Sequence, residues 1–166
     1  MYREPWIKSE IFDRNIRTFT ATIGPSGGKR GYQGLTGMTS SGLAWYINGR
    51  LIPELWVRRG LTYAFKVYGG NNPHSAEHYH PLIITTEPHG GLEQLTEAAQ
   101  RQIRVLAGVE YTRRGQPRPT AAGPLCLSKH DKRDRRLDDD FESFRKFNRS
   151  LIYSCEKGAV FMAIFK

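Results

Sequence analysis

The sequence lacks the features that mark a membrane span or a secretory leader. No run approaches the roughly 18 consecutive apolar residues that a transmembrane helix needs. The opening MYREPWIKSE carries charge within its first four positions and has no apolar stretch of the kind that a leader contains. We therefore expect a soluble chain that is either intracellular or a piece of a longer protein, and the apolar ending GAVFMAIFK favours a piece.

Cysteine is scarce, with Cys126 and Cys155 the only two in 166 residues. By count alone they could form a disulfide, remain as two buried thiols, or include one metal ligand. A glycosylation triplet begins at Asn148, which would suit a secreted protein. Such triplets are common by chance, and this one lies in a helical pattern, so the compartment stays open at this point.

A phosphate-binding loop is also missing. GPSGGKR has the glycines of such a loop but lacks the Gly-Lys-Ser/Thr ending, and no helical pattern follows it. The repeated glycines of GPSGGKRGYQG instead predict an irregular loop.

Basic residues are in excess, with 25 Lys and Arg against 16 Asp and Glu and a formal charge of +9. A positive chain can attract polyanions. The densest block, SKHDKRDRRLDDD over 128–140, mixes aspartates with the basic residues and ends acidic. That pattern predicts a solvated loop leading into a helix and disfavours nucleic acid as a partner.

Several short strands are predicted in a chain whose length suits one domain. TFTATI over 18–23 alternates as a strand does. Asn48-Gly49 between two apolar runs predicts a β-hairpin, because a type I′ turn needs positive φ at both central residues. Further strands are expected over 61–68 and 81–86, and the chain closes with the strand-like LIYSC and AVFMAIF.

Two helices are predicted between these strands. Leu92, Leu95, Ala99, Ile103 and Leu106 recur at helical spacing up to Gly108. A second helix is expected over 137–148, with Phe141, Phe144 and either Phe147 or Leu151 pointing inward. The fold class is thus mainly β, a β-sandwich with an inserted helical segment at about 92–150. We predict a linker over 1–17 and the domain over 18–166.

Four of the five histidines, His74, His78, His80 and His89, fall within sixteen residues. Imidazole and thiolate both suit copper and zinc, so His80 and Cys155 form a chemically sensible pair. A blue-copper site needs two histidines, one cysteine and a weak axial methionine. The stretch after Cys155 supplies Met162 but no histidine.

Longer motifs resemble a known family. The order of GLTYAFKV, YHPLIIT and LIYSCEKGAVFM is similar to that of plastocyanin-like cupredoxins. GPSGGKRGYQGLTG, AWYINGRLIPELWVRRGLTYAFKVYGGNNP, YHPLIITTEPHGG and IYSCEKGAVFMAIF resemble the C-terminal cupredoxin-like region that follows a DOMON domain in the Knickkopf and Skeletor proteins of arthropods. The resemblance implies a cupredoxin-like sandwich within a larger secreted or membrane-anchored protein of the apical matrix or cuticle.

The same resemblance places His80 at the first histidine ligand, Cys155 at the thiolate and Met162 near the axial position. The second histidine ligand has no match, so we expect a degenerate type 1 copper site without a cofactor. Copper in an electron-transfer module is the alternative. The oxidising compartment implied by the family favours a Cys126–Cys155 disulfide that ties the inserted segment to the final strand.

By resemblance, the expected function is non-enzymatic: organising cuticle chitin and shielding it from chitinases. Aromatic faces can stack on sugar rings, and not every aromatic in the predicted strands fits a core. The candidate contacts are Trp45, Tyr46, Trp56, Tyr63 and Tyr68. Because chitin is neutral, the excess positive charge requires another explanation: acidic matrix proteins, deacetylation chemistry and a membrane surface are the alternatives.

Overall fold

The computed structural model describes residues 3–88, 96–132 and 135–156. In these ranges the chain is mainly β, which confirms the predicted class. The strands are β1 (Glu10–Ile11), β2 (Thr18–Pro25), β3 (Leu43–Ile47), β4 (Arg50–Leu51), β5 (Glu54–Leu55), β6 (Ala64–Val67), β7 (Ile84–Thr85), β8 (Val105–Ala107), β9 (Val109–Tyr111), β10 (Pro117–Pro119), β11 (Cys126–His130) and β12 (Leu151–Cys155). The helices are α1 (Tyr32–Thr36), α2 (Glu97–Gln102), a 3-10 helix (Arg135–Asp140) and α3 (Phe144–Arg149).

A six-stranded sheet forms the centre of the fold. Its path runs β12-β11-β2-β3-β4, and β6 pairs in parallel with the first half of β2. The predicted hairpin is confirmed: β3 pairs antiparallel with β4, and the turn holds Asn48 at φ 51° and Gly49 at φ 76°. Three separate ladders, β1-β5, β7-β8 and β9-β10, add two strands each.

Both faces of the central sheet carry apolar clusters. Along β3, Ala44 and Tyr46 belong to one buried cluster, whereas Ile47 and the half-buried Trp45 belong to the other. This division follows from the alternation of side chains along a strand. Burial on both faces is consistent with the layered packing of a β-sandwich.

The N-terminal segment packs against the domain, although its sequence led us to expect a linker over 1–17. Trp6 is buried in the cluster that contains Phe147, and its indole Nε1 donates to the Phe141 carbonyl at 2.8 Å. Ile11 is buried in the opposite cluster, and β1 pairs in parallel with β5. Two anchors, one in each apolar cluster, therefore hold this segment.

The inserted segment is less helical than predicted. The helix expected up to Gly108 ends at Gln102, and Val105–Ala107 forms β8 against β7. Strand pairing by β-branched residues overrides the helical spacing here. Leu92 and Leu95 lie outside the described residues.

The second predicted helix divides in two. The 3-10 helix ends at Asp140, and α3 starts after Ser143, whose Oγ accepts from the Lys146 N–H at 3.2 Å. Phe147 is buried, and Phe141 and Phe144 pack beside it, so the inward face was predicted correctly.

Three other expectations differ in extent. The glycine-rich stretch contains the five-residue helix α1, which the sequence did not predict. The strands expected over 61–68 and 81–86 shorten to β6 and β7. LIYSC is confirmed as β12, while AVFMAIF lies outside the described residues. Within the described ranges, the helices lack the length and apolar character needed to cross a membrane.

Candidate functional site

The histidine-bearing loop leads from β6 towards β7 and packs against two glycines. A side chain on Gly69 would collide with the His80 carbonyl, and one on Gly70 would collide with the His78 carbonyl. Gly70 also has a φ of 87°, which favours glycine. The His80 ring Nε2 lies 3.1 Å from the Glu77 carbonyl oxygen, so local contacts already engage the predicted copper-site histidine.

Cys126 and Cys155 form a disulfide, as predicted. They are direct partners in the antiparallel β11-β12 ladder. Cys126 is fully buried and Cys155 is exposed. The bridge joins the inserted segment to the last described strand.

A contact between His78 and Glu156 joins the histidine loop to the end of β12. His78 Nδ1 lies 3.5 Å from Glu156 Oε1, directly after Cys155. The other carboxylate oxygen, Oε2, accepts from the Leu125 N–H at 3.1 Å. The fold therefore places the loop and the disulfide in one neighbourhood, with His78 and not His80 making the contact.

Within the described residues, this neighbourhood offers no free thiolate for a type 1 copper site. The Cys155 sulfur is bonded to Cys126 and cannot act as a thiolate ligand while that bond persists. Across the described part of the chain, no group of three or more His, Cys, Asp and Glu side chains is placed to hold a metal ion. Met162 lies outside the described residues.

The remaining histidines serve other contacts or are not described. His74 is exposed in a turn where its backbone N–H donates to Asn72 Oδ1 at 3.0 Å. His89 lies outside the described residues. His130, on β11, contacts Asp138.

The His130–Asp138 pair was missed at the sequence level. Nε2 of His130 lies 3.0 Å from both carboxylate oxygens of Asp138, which is only 3% exposed. The ring packs edge-on against Phe147. The block that the sequence indicated to be solvated thus contributes a buried charged side chain.

Asp138 also affects a buried tyrosine. Tyr46 donates its hydroxyl proton to the Pro25 carbonyl at 2.7 Å. Burial raises the pKa of Tyr46 well above its usual value, and the negative charge of Asp138 raises the pKa further. The hydroxyl therefore stays protonated at any physiological pH.

The two following aspartates contact the glycine-rich loop and the N-terminal segment. Asp139 Oδ1 accepts from the Arg30 N–H at 3.0 Å. The Arg3 guanidinium donates to the Asp139 carbonyl and to Asp140 Oδ1, the latter at 2.9 Å. A pocket of about 250 Å³ lies between this loop and the 3-10 helix, and its lining includes His130 and Asp138. Side chains that hold the fold together line this pocket, and the sequence did not predict it.

The five candidate aromatics differ in exposure. Tyr46 and Tyr68 are buried, which rules them out as contacts with a polymer, and Trp45 and Tyr63 are half-buried. Trp56 alone of the five is mostly exposed, at 58%.

A second exposed ring lies at the same end of the β1-β5 ladder. Phe12, 69% exposed, follows Ile11, and Trp56 follows Leu55, the register partner of Ile11. The Trp56 N–H donates to the Ile11 carbonyl at 2.9 Å, which keeps the two segments side by side at this point. We call Phe12 and Trp56 the ladder-end aromatic pair. Sequence reasoning missed Phe12 because it placed that residue in a linker.

Two curated relatives align with most of the chain. "Protein Skeletor, isoforms B/C" and "Protein Skeletor, isoforms D/E", both from Drosophila melanogaster, are each 45% identical to it over 140 residues, or 84% of its length. Over these residues the chain is related to the Skeletor proteins. It spans 18% and 9% of the lengths of these two Skeletor proteins. No family model and no solved structure matches the chain, so the cupredoxin-like fold stays a prediction.

The Skeletor relationship confirms the resemblance read from the motifs. The disulfide fits a protein that folds in an oxidising compartment. Asn148 lies half-buried in α3, and its glycosylation remains a prediction.

Proposed function

We propose that the chain is a non-enzymatic module of an extracellular matrix protein, where it organises cuticle chitin and protects it from chitinases. Support comes from the Skeletor relationship and from the disulfide, which suits an apical matrix compartment. The cuticle role itself comes from the family resemblance of the motifs.

The exposure of the ladder-end aromatic pair is the observation that supports direct contact with chitin. Large exposed rings stack on the apolar faces of sugar rings, and both Phe12 and Trp56 keep more than half of their surface in solvent. The adjoining β1-β5 ladder and the bond from the Trp56 N–H to the Ile11 carbonyl position their backbones, which lowers the ordering cost of binding. Two exposed rings at one end of a ladder suit a repeating polymer better than a small ligand.

Retention on chitin beads tests this proposal. The wild-type chain should be retained, and Trp56→Ala should weaken retention about fivefold, the effect of losing roughly 1 kcal/mol of stacking. Phe12→Ala should act in the same direction. Because both side chains are mainly exposed, neither change should lower the free energy of unfolding by more than about 0.5 kcal/mol.

Tyr111→Ala is the matched control. Tyr111 is 61% exposed, similar to the pair, but it lies on β9 in a separate ladder. Its removal should leave retention unchanged. Equal losses from all three substitutions, or no retention of the wild type, would reject the ladder-end pair as the chitin contact.

A further inference from the structure

A groove separates α2 from the β9-β10 hairpin, away from the ladder-end aromatic pair. We call it the α2–hairpin groove. Its volume is about 510 Å³. Charged and apolar side chains share its lining, which includes Glu97, Arg101, Ile103, Tyr111, Arg114 and Pro117.

The surroundings of the groove are basic. Residues 96–119 contain five arginines and two glutamates, a difference of +3. Glu110 pairs with Arg118 at 2.9 Å across the hairpin, which neutralises both. Among the residues that the structure describes, Arg101 and Arg114 have no carboxylate within ion-pairing distance, so their guanidinium groups are available to a partner.

Apolar surface accompanies these cations. Ile103 and Pro117 are half-buried in the lining, and Tyr111 is 61% exposed. Leu106, on the adjacent β8, is 56% exposed. A purely ionic partner would leave this surface unused, whereas a peptide can combine carboxylates with an apolar side chain.

The geometry of arginine favours carboxylate ligands. Its planar guanidinium donates two parallel hydrogen bonds to one carboxylate. A nucleic acid would need a longer run of cations along its phosphates. In this region the cations are interrupted by Glu97 in the groove lining and by Glu110 on the neighbouring hairpin, so such a run is not present among them.

We propose that the α2–hairpin groove binds an acidic peptide segment of a partner protein, with Arg101 and Arg114 pairing with its carboxylates and Tyr111 covering one apolar side chain. This interaction accounts for basic surface that neutral chitin leaves without a partner. It does not depend on chitin binding, because it uses a different ladder.

Fluorescence anisotropy tests the proposal with a labelled ten-residue peptide of glutamates around one central phenylalanine. The wild-type chain should bind it with an affinity that falls as salt is raised. Arg101→Glu with Arg114→Glu should weaken binding by about tenfold or more. Glu97→Gln should strengthen binding, because it removes the acidic group in the groove.

Arg145→Glu with Arg149→Glu on α3 is the charge-matched control and should change the affinity by less than about twofold. Circular dichroism would establish that each variant is folded. Equal losses in both double variants would show that net charge alone drives binding and would overturn the proposal. Absence of peptide binding, or tight binding only to heparin or duplex DNA, would also overturn it.

Discussion

Cys126 and Cys155 lie directly opposite each other on β11 and β12 and are joined by a disulfide. The bridge closes a sequence separation of 29 residues that includes the 3-10 helix and α3. It attaches the edge strand of the central sheet to its neighbour. It also occupies the sulfur that a copper site would need.

Removing the bridge should destabilise the fold. Replacing both cysteines with alanine should lower the free energy of unfolding by about 3–4 kcal/mol, because the unfolded chain regains the entropy of the open loop. Urea denaturation would measure the difference. A reductant should lower the stability of the wild type to a similar level and leave the double variant unchanged, whereas equal stability of the two proteins would contradict the account.

Native protein incubated with copper should not develop a thiolate charge-transfer band, because the Cys155 sulfur is in the disulfide. Optical spectroscopy and metal analysis after desalting would measure this. Near-stoichiometric copper with an intense visible band would support the electron-transfer alternative instead.

The variant His80→Ala should have the same melting temperature as the wild type, whether or not copper is added.

Local patterns predicted much of the central sheet. Alternation gave β2, the Asn48-Gly49 turn gave the β3-β4 hairpin, and the spacing of phenylalanines gave the inward face of α3. Where pairing with a distant strand decides the structure, local spacing failed. Val105–Ala107 fits a helical pattern but pairs with β7.

Asp138 should be far more important for stability than its neighbour Asp140. Asp138→Ala leaves the mostly buried His130 ring without its carboxylate and should cost about 2–3 kcal/mol of unfolding free energy. Asp140→Ala removes an exposed pair with Arg3 and should cost less than about 1 kcal/mol. Chemical denaturation of both variants would measure the two costs, and similar small costs would show that the buried pair does not stabilise the fold.

Tyr46 should make the fold sensitive to alkali. Its pKa is raised in the folded state, so above pH 10, the ordinary value, the unfolded chain releases the proton first. The contribution of Tyr46 to stability should be constant below that pH and should then fall by up to about 1.4 kcal/mol per pH unit.

Tyr46→Phe is the control for the alkaline transition. It should be less stable at neutral pH, because the Pro25 carbonyl loses its donor, but it should show a shallower decline from about pH 10 to 11. Denaturation curves at several pH values would compare the two proteins. Parallel declines would show that Tyr46 does not cause the effect.

The candidate sites depended on contacts that sequence spacing cannot show. Asp138 lies in a charged run typical of solvated surface, yet it is buried against His130 from another element. The backbone of Phe12 lies beside that of Trp56 because β1 pairs with β5, more than forty positions away in sequence. The disulfide was predictable once the compartment was inferred, since the chain has only two cysteines.

Contact between the ladder-end aromatic pair and chitin can be measured with an equilibrium depletion isotherm on insoluble chitin. We expect saturable binding by the wild type and near-complete loss of binding in the Phe12→Ala, Trp56→Ala double variant. The single variant Trp56→Phe, which retains a ring, should bind substantially better than Trp56→Ala. Undiminished binding by the double variant, or no binding by the folded wild type, would contradict the proposed contact.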